Sequence, residues 1–145
     1  MAVKVKSITL WRRDVPNQPG MLAAALEPLA RTGASLQVVM GYRYPGDESR
    51  GAIELYPVSG KKAAAAAQAA GLTASSIPTL VAAGDDAPGL GHAMTKALAD
   101  AGINLTFFVA QVLGRKWTAI LGFENDADAK KAAGLIRKVK APRKK

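Results

Sequence analysis

Two tetrapeptides hold the residue types best suited to binding chemistry: Asn17-Gln18-Pro19-Gly20 and Asp86-Ala87-Pro88-Gly89. Each precedes an apolar run of helical period, so each is expected to open a helix. Pro in a first helical turn loses no hydrogen bond, because that N–H has no intrahelical partner. The remaining free N–H groups and the positive end of the helix dipole suit a carboxylate. Gly20 and Gly89 lack a Cβ and let a ligand approach the backbone closely. The same residues also have a plain structural use. Asn17 and Asp86 are good N-caps, and a cap on a tight turn accounts for them without any ligand.

Catalytic chemistry has thin support. His92 is the single histidine and falls opposite the Leu90/Met94/Leu98 stripe, the place of a solvated surface residue. The carboxylate pairs Asp85/Asp86, Asp47/Glu48 and Asp126/Asp128 fall in turns or at a helix start, where capping and solvation account for them. Neither a Ser-His-Asp set nor a metal-ligand spacing occurs. The lack of Cys excludes disulfides, thiolate metal sites and thiol catalysis together. Gly89-Leu90-Gly91 opens like a dinucleotide fingerprint, but Met94 takes the third glycine position and no βαβ unit surrounds it. The expectation is a protein that is not an enzyme and uses no cofactor.

Length and charge narrow the class further. The chain has 145 residues, 49% of them hydrophobic, and a formal charge of +9. That length implies one domain or two very small ones. Met1 to Leu10 lacks an uninterrupted apolar core, and no run approaches the roughly 20 apolar residues of a membrane span. A cytoplasmic protein is the default expectation. The charge is concentrated at one end. Lys130, Lys131, Arg137, Lys138, Lys140, Arg143, Lys144 and Lys145 are basic, and no acid follows Asp128. The rest of the chain is nearly neutral.

An internal repeat organises this neutral body. An offset of 69 residues brings Pro19-Gly20 onto Pro88-Gly89, Ala24 onto Ala93, Leu29 onto Leu98, Ala30 onto Ala99, Gly33 onto Gly102 and Leu36 onto Leu105. Each copy starts with a strand, near 5–13 or 79–84, and passes through its Pro-Gly turn into a helix. Gly33 and Gly102 supply the left-handed residue that ends such a helix. Two β-rich runs follow, 36–44 with 51–58 and 104–113 with 116–123. A final helix spans 61–70 or 126–138. Pro28 breaks the helix rule in the first copy by removing a bond to Ala24. The order βαββα, twice, predicts an α+β fold of two similar antiparallel sheets.

Strand, Asn/Asp-x-Pro-Gly, amphipathic helix, Gly-Ile-Asn or Gly-Ala-Ser, strand pair, helix: this order resembles the ACT domain, a ferredoxin-like regulatory module, in tandem over nearly the whole chain. The resemblance implies two repeats, 1–71 and 72–140, followed by a basic tail at 141–145. That family closes its βαββαβ unit with a fourth strand, and 139–145 is too short and charged to supply one. The segments 3–15 and 72–84 are each longer than one strand requires. Residues 3–8 are therefore expected to complete the sheet of the second copy, so that the two long segments run antiparallel and serve both sheets.

In proteins of the kind this chain resembles, the loop between first strand and first helix often binds an amino acid where two domains meet. Carried onto matching positions, this implies Asp86, Ala87, Gly89, Leu90 and Asn104 in the second copy. In the first it implies Asn17, Gln18, Gly20, Met21 and Ser35. Asp86 would hold the ligand's ammonium while backbone N–H groups hold its carboxylate. The implied role is a regulatory sensor of a small molecule, with another protein as its output. Two alternatives remain: a dimerisation module without a ligand, and a nucleic-acid-binding protein using the basic tail.

Strand 104–113 is apolar on both parities, with Leu105, Phe107 and Val109 on one and Phe108, Ala110 and Val112 on the other. Helices cover one face of a two-layer fold, so the other calls for the partner repeat or a second chain. Phe107, Phe108 and Trp117 are better explained as core than as an RNA-stacking platform, because no Lys/Arg-Gly-Phe-x-Phe run is present. Homodimerisation is expected. Sedimentation at micromolar concentration should give twice the chain mass, and a clean monomer would contradict it.

Overall fold

The computed structural model describes residues 3–140; the tail assigned to 141–145 lies outside the described residues. The elements run β1 (Lys4–Ile8), β2 (Trp11–Pro16), α1 (Met21–Arg31), β3 (Val38–Tyr44), β4 (Asp47–Tyr56) and α2 (Gly60–Ala69). They continue with β5 (Thr73–Ala74), β6 (Thr79–Asp85), α3 (Leu90–Asp100), β7 (Leu105–Leu113), β8 (Lys116–Phe123) and α4 (Asp126–Arg137). The strands form two four-stranded antiparallel sheets, β3-β4-β2-β5 and β1-β6-β8-β7. This is the α+β, ferredoxin-like architecture expected from the sequence.

The strand expected over 5–13 is two strands, and they belong to different sheets. β1 runs antiparallel to β6, with Val5 opposite Ala82, while β2 runs antiparallel to β4 and to the short β5. Residues 3–8 thus join residues 77–140 in one compact unit, and Thr9–Ser76 form the other. We call these the C-terminal and the N-terminal unit. The boundaries at 71/72 follow the sequence repeat, whereas the compact units exchange the first strand.

Each unit has its own core. In the N-terminal unit Leu29 of α1 and Ala63 and Ala67 of α2 pack on Val15, Ile53 and Leu55. Alternate residues of β4 point into it, which is why Leu55 is fully buried. In the C-terminal unit Met94 and Leu98 of α3 and Ile136 of α4 pack on Leu80, Trp117, Leu121 and Phe123. Full burial of such a side chain contributes about 1.5–3 kcal/mol. Two aromatic rings are buried in this second core, whereas the buried members of the first are aliphatic.

Helix ends follow the local chemistry in part. Asn125 caps α4 by accepting from the Asp128 N–H at 2.8 Å, and Asp126 and Asp128 sit in its first turn. Asn17 and Asp86, expected as N-caps, do not cap. Gly20 and Gly89 occupy the N-cap positions of α1 and α3 with φ of 87° and 84°, and no side chain caps either helix. The Pro-Gly pair places the left-handed residue at the cap itself, which leaves Asn17 and Asp86 one turn too early to reach the helical N–H groups. Helix α1 continues through Pro28 to Arg31.

The exchanged strand gives a test. Deleting residues 1–8 leaves β6 as an open edge, and amide protection over residues 79–85 should fall while residues 51–55 keep theirs. Hydrogen exchange with mass spectrometry measures both. Unchanged protection over 79–85 would show that β1 does not complete this sheet.

Candidate functional site

A groove of about 320 Å³ opens in the N-terminal unit between the start of α1 and the sheet. Asn17, Gln18, Met21 and Leu22 line its helix side. Gly41, Gly51 and Ile53 line its sheet side, and Arg43 is the single charged residue around it. The hollow follows from strand register. Gly51 pairs with both Val15 and Arg43, and Gly41 pairs with Ile53. All of these therefore share the face that α1 and α2 cover, and at two of them the face has no side chain.

The glycines are held there by close neighbours. A Cβ on Gly51 would lie 2.8 Å from the Tyr42 carbonyl oxygen, so a side chain requires the β3–β4 hairpin to shift. A Cβ on Gly41 would meet Leu22 Cδ2 at 3.5 Å, an ordinary contact. Leu22 leans over Gly41 and is itself 38% exposed.

The turn before α1 is stapled to the hairpin. Asn17 Nδ2 donates to the Glu48 carbonyl at 2.7 Å, and the Asn17 backbone N–H donates to the Ser49 carbonyl at 2.8 Å. The first intrahelical bond runs from the Ala24 N–H to the Gly20 carbonyl at 2.9 Å, so the N–H groups of Met21, Leu22 and Ala23 precede the helical ladder. Met21 and Leu22, whose N–H groups precede the ladder, thus border the same hollow as Arg43 and Ile53. Its chemistry suits a small molecule with a carboxylate and an apolar body.

The opposite face of the same sheet carries a charged network that fixes the hairpin. The Tyr44 hydroxyl donates to Asp14 Oδ1 and accepts from Arg12 Nη2. Arg12 Nη1 also lies 2.8 Å from Asp14 Oδ1, and Arg50 Nη2 lies 3.5 Å from Asp14 Oδ2. The Tyr42 hydroxyl donates at 3.1 Å to Glu54, whose side chain is 3% exposed and lies 3.8 Å from Arg12 Nε. A carboxylate buried to that degree needs such partners. Burial and the Glu54 charge push the Tyr42 hydroxyl up from its ordinary pKa.

The residues implied by the resemblance separate in the structure. Asn17, Gln18 and Met21 line the groove, and Gly20 is the N-cap of its helix. Ser35 lies elsewhere, lining a second hollow of about 540 Å³ with Thr32, Lys61 and Lys62. In the C-terminal unit Asp86 is exposed and its backbone N–H donates to the Arg115 carbonyl at 2.8 Å. Ala87 accepts from the Leu90 N–H at 3.2 Å, and Gly89 is the cap of α3. The Leu90 side chain is in the core, and Asn104 Nδ2 donates to Glu124 at 2.9 Å. Gly41, Arg43 and Gly51 were not expected from sequence; the signal for them is ladder register, which pairing alone reveals. Among the described residues no group of three metal-ligating side chains occurs, and no helix is long and apolar enough to cross a membrane.

No family model and no curated protein matches the sequence. Solved structures do match its fold. The regulatory subunit of aspartate kinase from Thermus thermophilus, in its ligand-free form, matches with a TM-score of 0.61 at 19% identity, covering 94% of this chain and 97% of that one. A protein from Bacteroides thetaiotaomicron matches with a TM-score of 0.72 at 13% identity, covering 93% and 99%. A structure of aspartokinase alpha and beta subunits matches with a TM-score of 0.61 at 14% identity, covering 95% and 96%. At these identities the likeness is one of fold alone: the ferredoxin-like arrangement of two four-stranded antiparallel sheets.

The Asp14 network sets a pH dependence. The Tyr44 hydroxyl, followed by the charges of Arg12 and Arg50, holds the Asp14 carboxyl below its ordinary pKa. A depressed carboxylate stabilises the fold above its unfolded value of about 3.9, and that contribution is lost as pH falls through the folded value. Asp14→Asn should therefore have a lower urea midpoint than the native chain at pH 7, and the gap should close below about pH 4. A gap that stays constant down to pH 2 would contradict this.

Proposed function

We propose that this chain is a tandem ACT-like regulatory protein that binds a small molecule, an amino acid, and passes its occupancy to another polypeptide. The observation that carries this reading is the groove at the start of α1, floored by Gly41 and Gly51 and bordered by Arg43. It joins a carboxylate-binding end to an aliphatic floor at the turn from which the resemblance expects binding. Ligand binding there would favour one arrangement of the protein by its differential affinity, and so shift the equilibrium with a partner. The fold shared with a regulatory subunit of aspartate kinase supports a regulatory role without catalysis. Of the two Pro-Gly turns, we take that of the N-terminal unit as the site, because it opens on a hollow.

A thermal-shift screen of the twenty L-amino acids tests the reading. A ligand present at a hundred times its Kd stabilises the folded chain by about 2.7 kcal/mol, a rise of several degrees in Tm. One or a few chemically related amino acids should produce it, and Gly51→Val should abolish it. Failure of all twenty to raise Tm would overturn the sensor reading.

A further inference from the structure

The two units are built on the same register, and one pair of positions is exchanged between them. In the N-terminal unit Val15 stands opposite Gly51 and Arg43 stands opposite Gly51 on the other side. In the C-terminal unit, 69 residues on, Gly84 and Val112 both stand opposite Trp117. Trp117 is thus the structural counterpart of Gly51, near the hairpin end of an inner strand and beneath the first helix. Its side chain is 5% exposed and belongs to the core of its unit. A Cβ on Gly91 would lie 4.0 Å from Trp117 Cζ2, so the indole reaches under the first turn of α3. Gly91 is in turn the counterpart of Leu22. One unit places its bulk on the helix and leaves the sheet bare; the other places it on the sheet and bares the helix.

The exchange does not conserve the hollow. Leu22 leans over Gly41 and leaves about 320 Å³ open beside Gly51, whereas the Trp117 ring stands in the corresponding space. The charge differs too, since Arg43 borders the groove and its counterpart is Val112. None of the described ion pairs engages Arg43. No acidic side chain lines the groove, so a ligand ammonium has no counter-charge there.

Resting on the regulatory reading above, we propose that the chain binds one small aliphatic carboxylate. It sits in the N-terminal groove with Arg43 as its counter-charge, and Trp117 closes the equivalent place in the C-terminal unit. The ligand is recognised by its carboxylate and branched apolar body, and its ammonium is dispensable. Gly51 and Trp117 are the residues that decide which unit binds.

Sodium 3-methylbutanoate, a branched carboxylate without an ammonium, is the probe. It is titrated into the full ¹⁵N-labelled chain at constant ionic strength, with sodium chloride as control. Saturable shifts are expected at the Gly41 and Gly51 amides and none at Ala110 and Ala119. Arg43→Gln should weaken binding about tenfold or more, the loss of a hydrogen bond to a charged group. Trp117→Ala should add a second saturable set at Ala110 and Ala119 while leaving the first unchanged. Shifts in the C-terminal unit of the native chain, no saturable shift at Gly41 and Gly51, or an affinity indifferent to Arg43→Gln would each overturn the proposal. If Trp117→Ala fails to fold, the native and Arg43→Gln titrations still decide. An amino acid that raises Tm while 3-methylbutanoate does not bind would overturn this inference and leave the regulatory reading standing. Failure of both ligands would overturn both.

Discussion

In each unit one central strand runs directly beneath the first turn of a helix, and the space at that crossing must be filled from the strand, from the helix or by something else. Close packing makes an unfilled space costly, so its occupant shapes everything around it. In the C-terminal unit Trp117 fills it, and Gly91 makes room by having no side chain. In the N-terminal unit Gly51 supplies nothing, and the Leu22 side chain lies over Gly41. The open groove, the aliphatic character of that core and the exposure of Leu22 all follow from this choice.

Keeping a hollow requires a frame that does not collapse into it. The tyrosine-carboxylate-guanidinium network around Asp14 and Glu54 braces β2, β3 and β4 from the opposite face. Asn17 ties the turn before α1 to the end of the same hairpin. The carbonyl of Tyr42 then stands where a Cβ on Gly51 would have to go. Polar bonds on one side of a sheet thereby preserve an apolar-floored groove on the other. In the C-terminal unit the fourth strand, β1, packs against α4 and sets Val5 against the core.

Much of the fold was legible in the residues. The Pro-Gly turns, Gly33 and Gly102 at the helix ends, and the helical stripe of Leu90, Met94 and Leu98 are local signals, and local signals survive in a sequence. The excess length of segments 3–15 and 72–84 likewise betrayed the exchanged strand. Capping was not legible, because Asn17 and Asp86 look like N-caps until Gly20 and Gly89 take that role with positive φ. The lining of the candidate groove was legible in part. Asn17, Gln18 and Met21 follow from the turn, but Gly41, Gly51 and Arg43 do not. The 69-residue offset aligns Gly51 with Ile120, while the ladders align it with Trp117. The two hairpins differ in length, and β3 carries a register shift between Arg43 and Tyr44. The offset therefore fails at β4 and β8, where one unit has Gly51 and the other Trp117.

The most direct measurement is a crystal structure of the chain from crystals soaked with the amino acid that raises Tm and, separately, with 3-methylbutanoate. Ligand density is predicted over Gly41 and Gly51, with its carboxylate within hydrogen-bond reach of the Arg43 guanidinium and Trp117 unmoved. Density seated instead at the Asp86–Gly89 turn, with Trp117 displaced from beneath α3, would contradict the account.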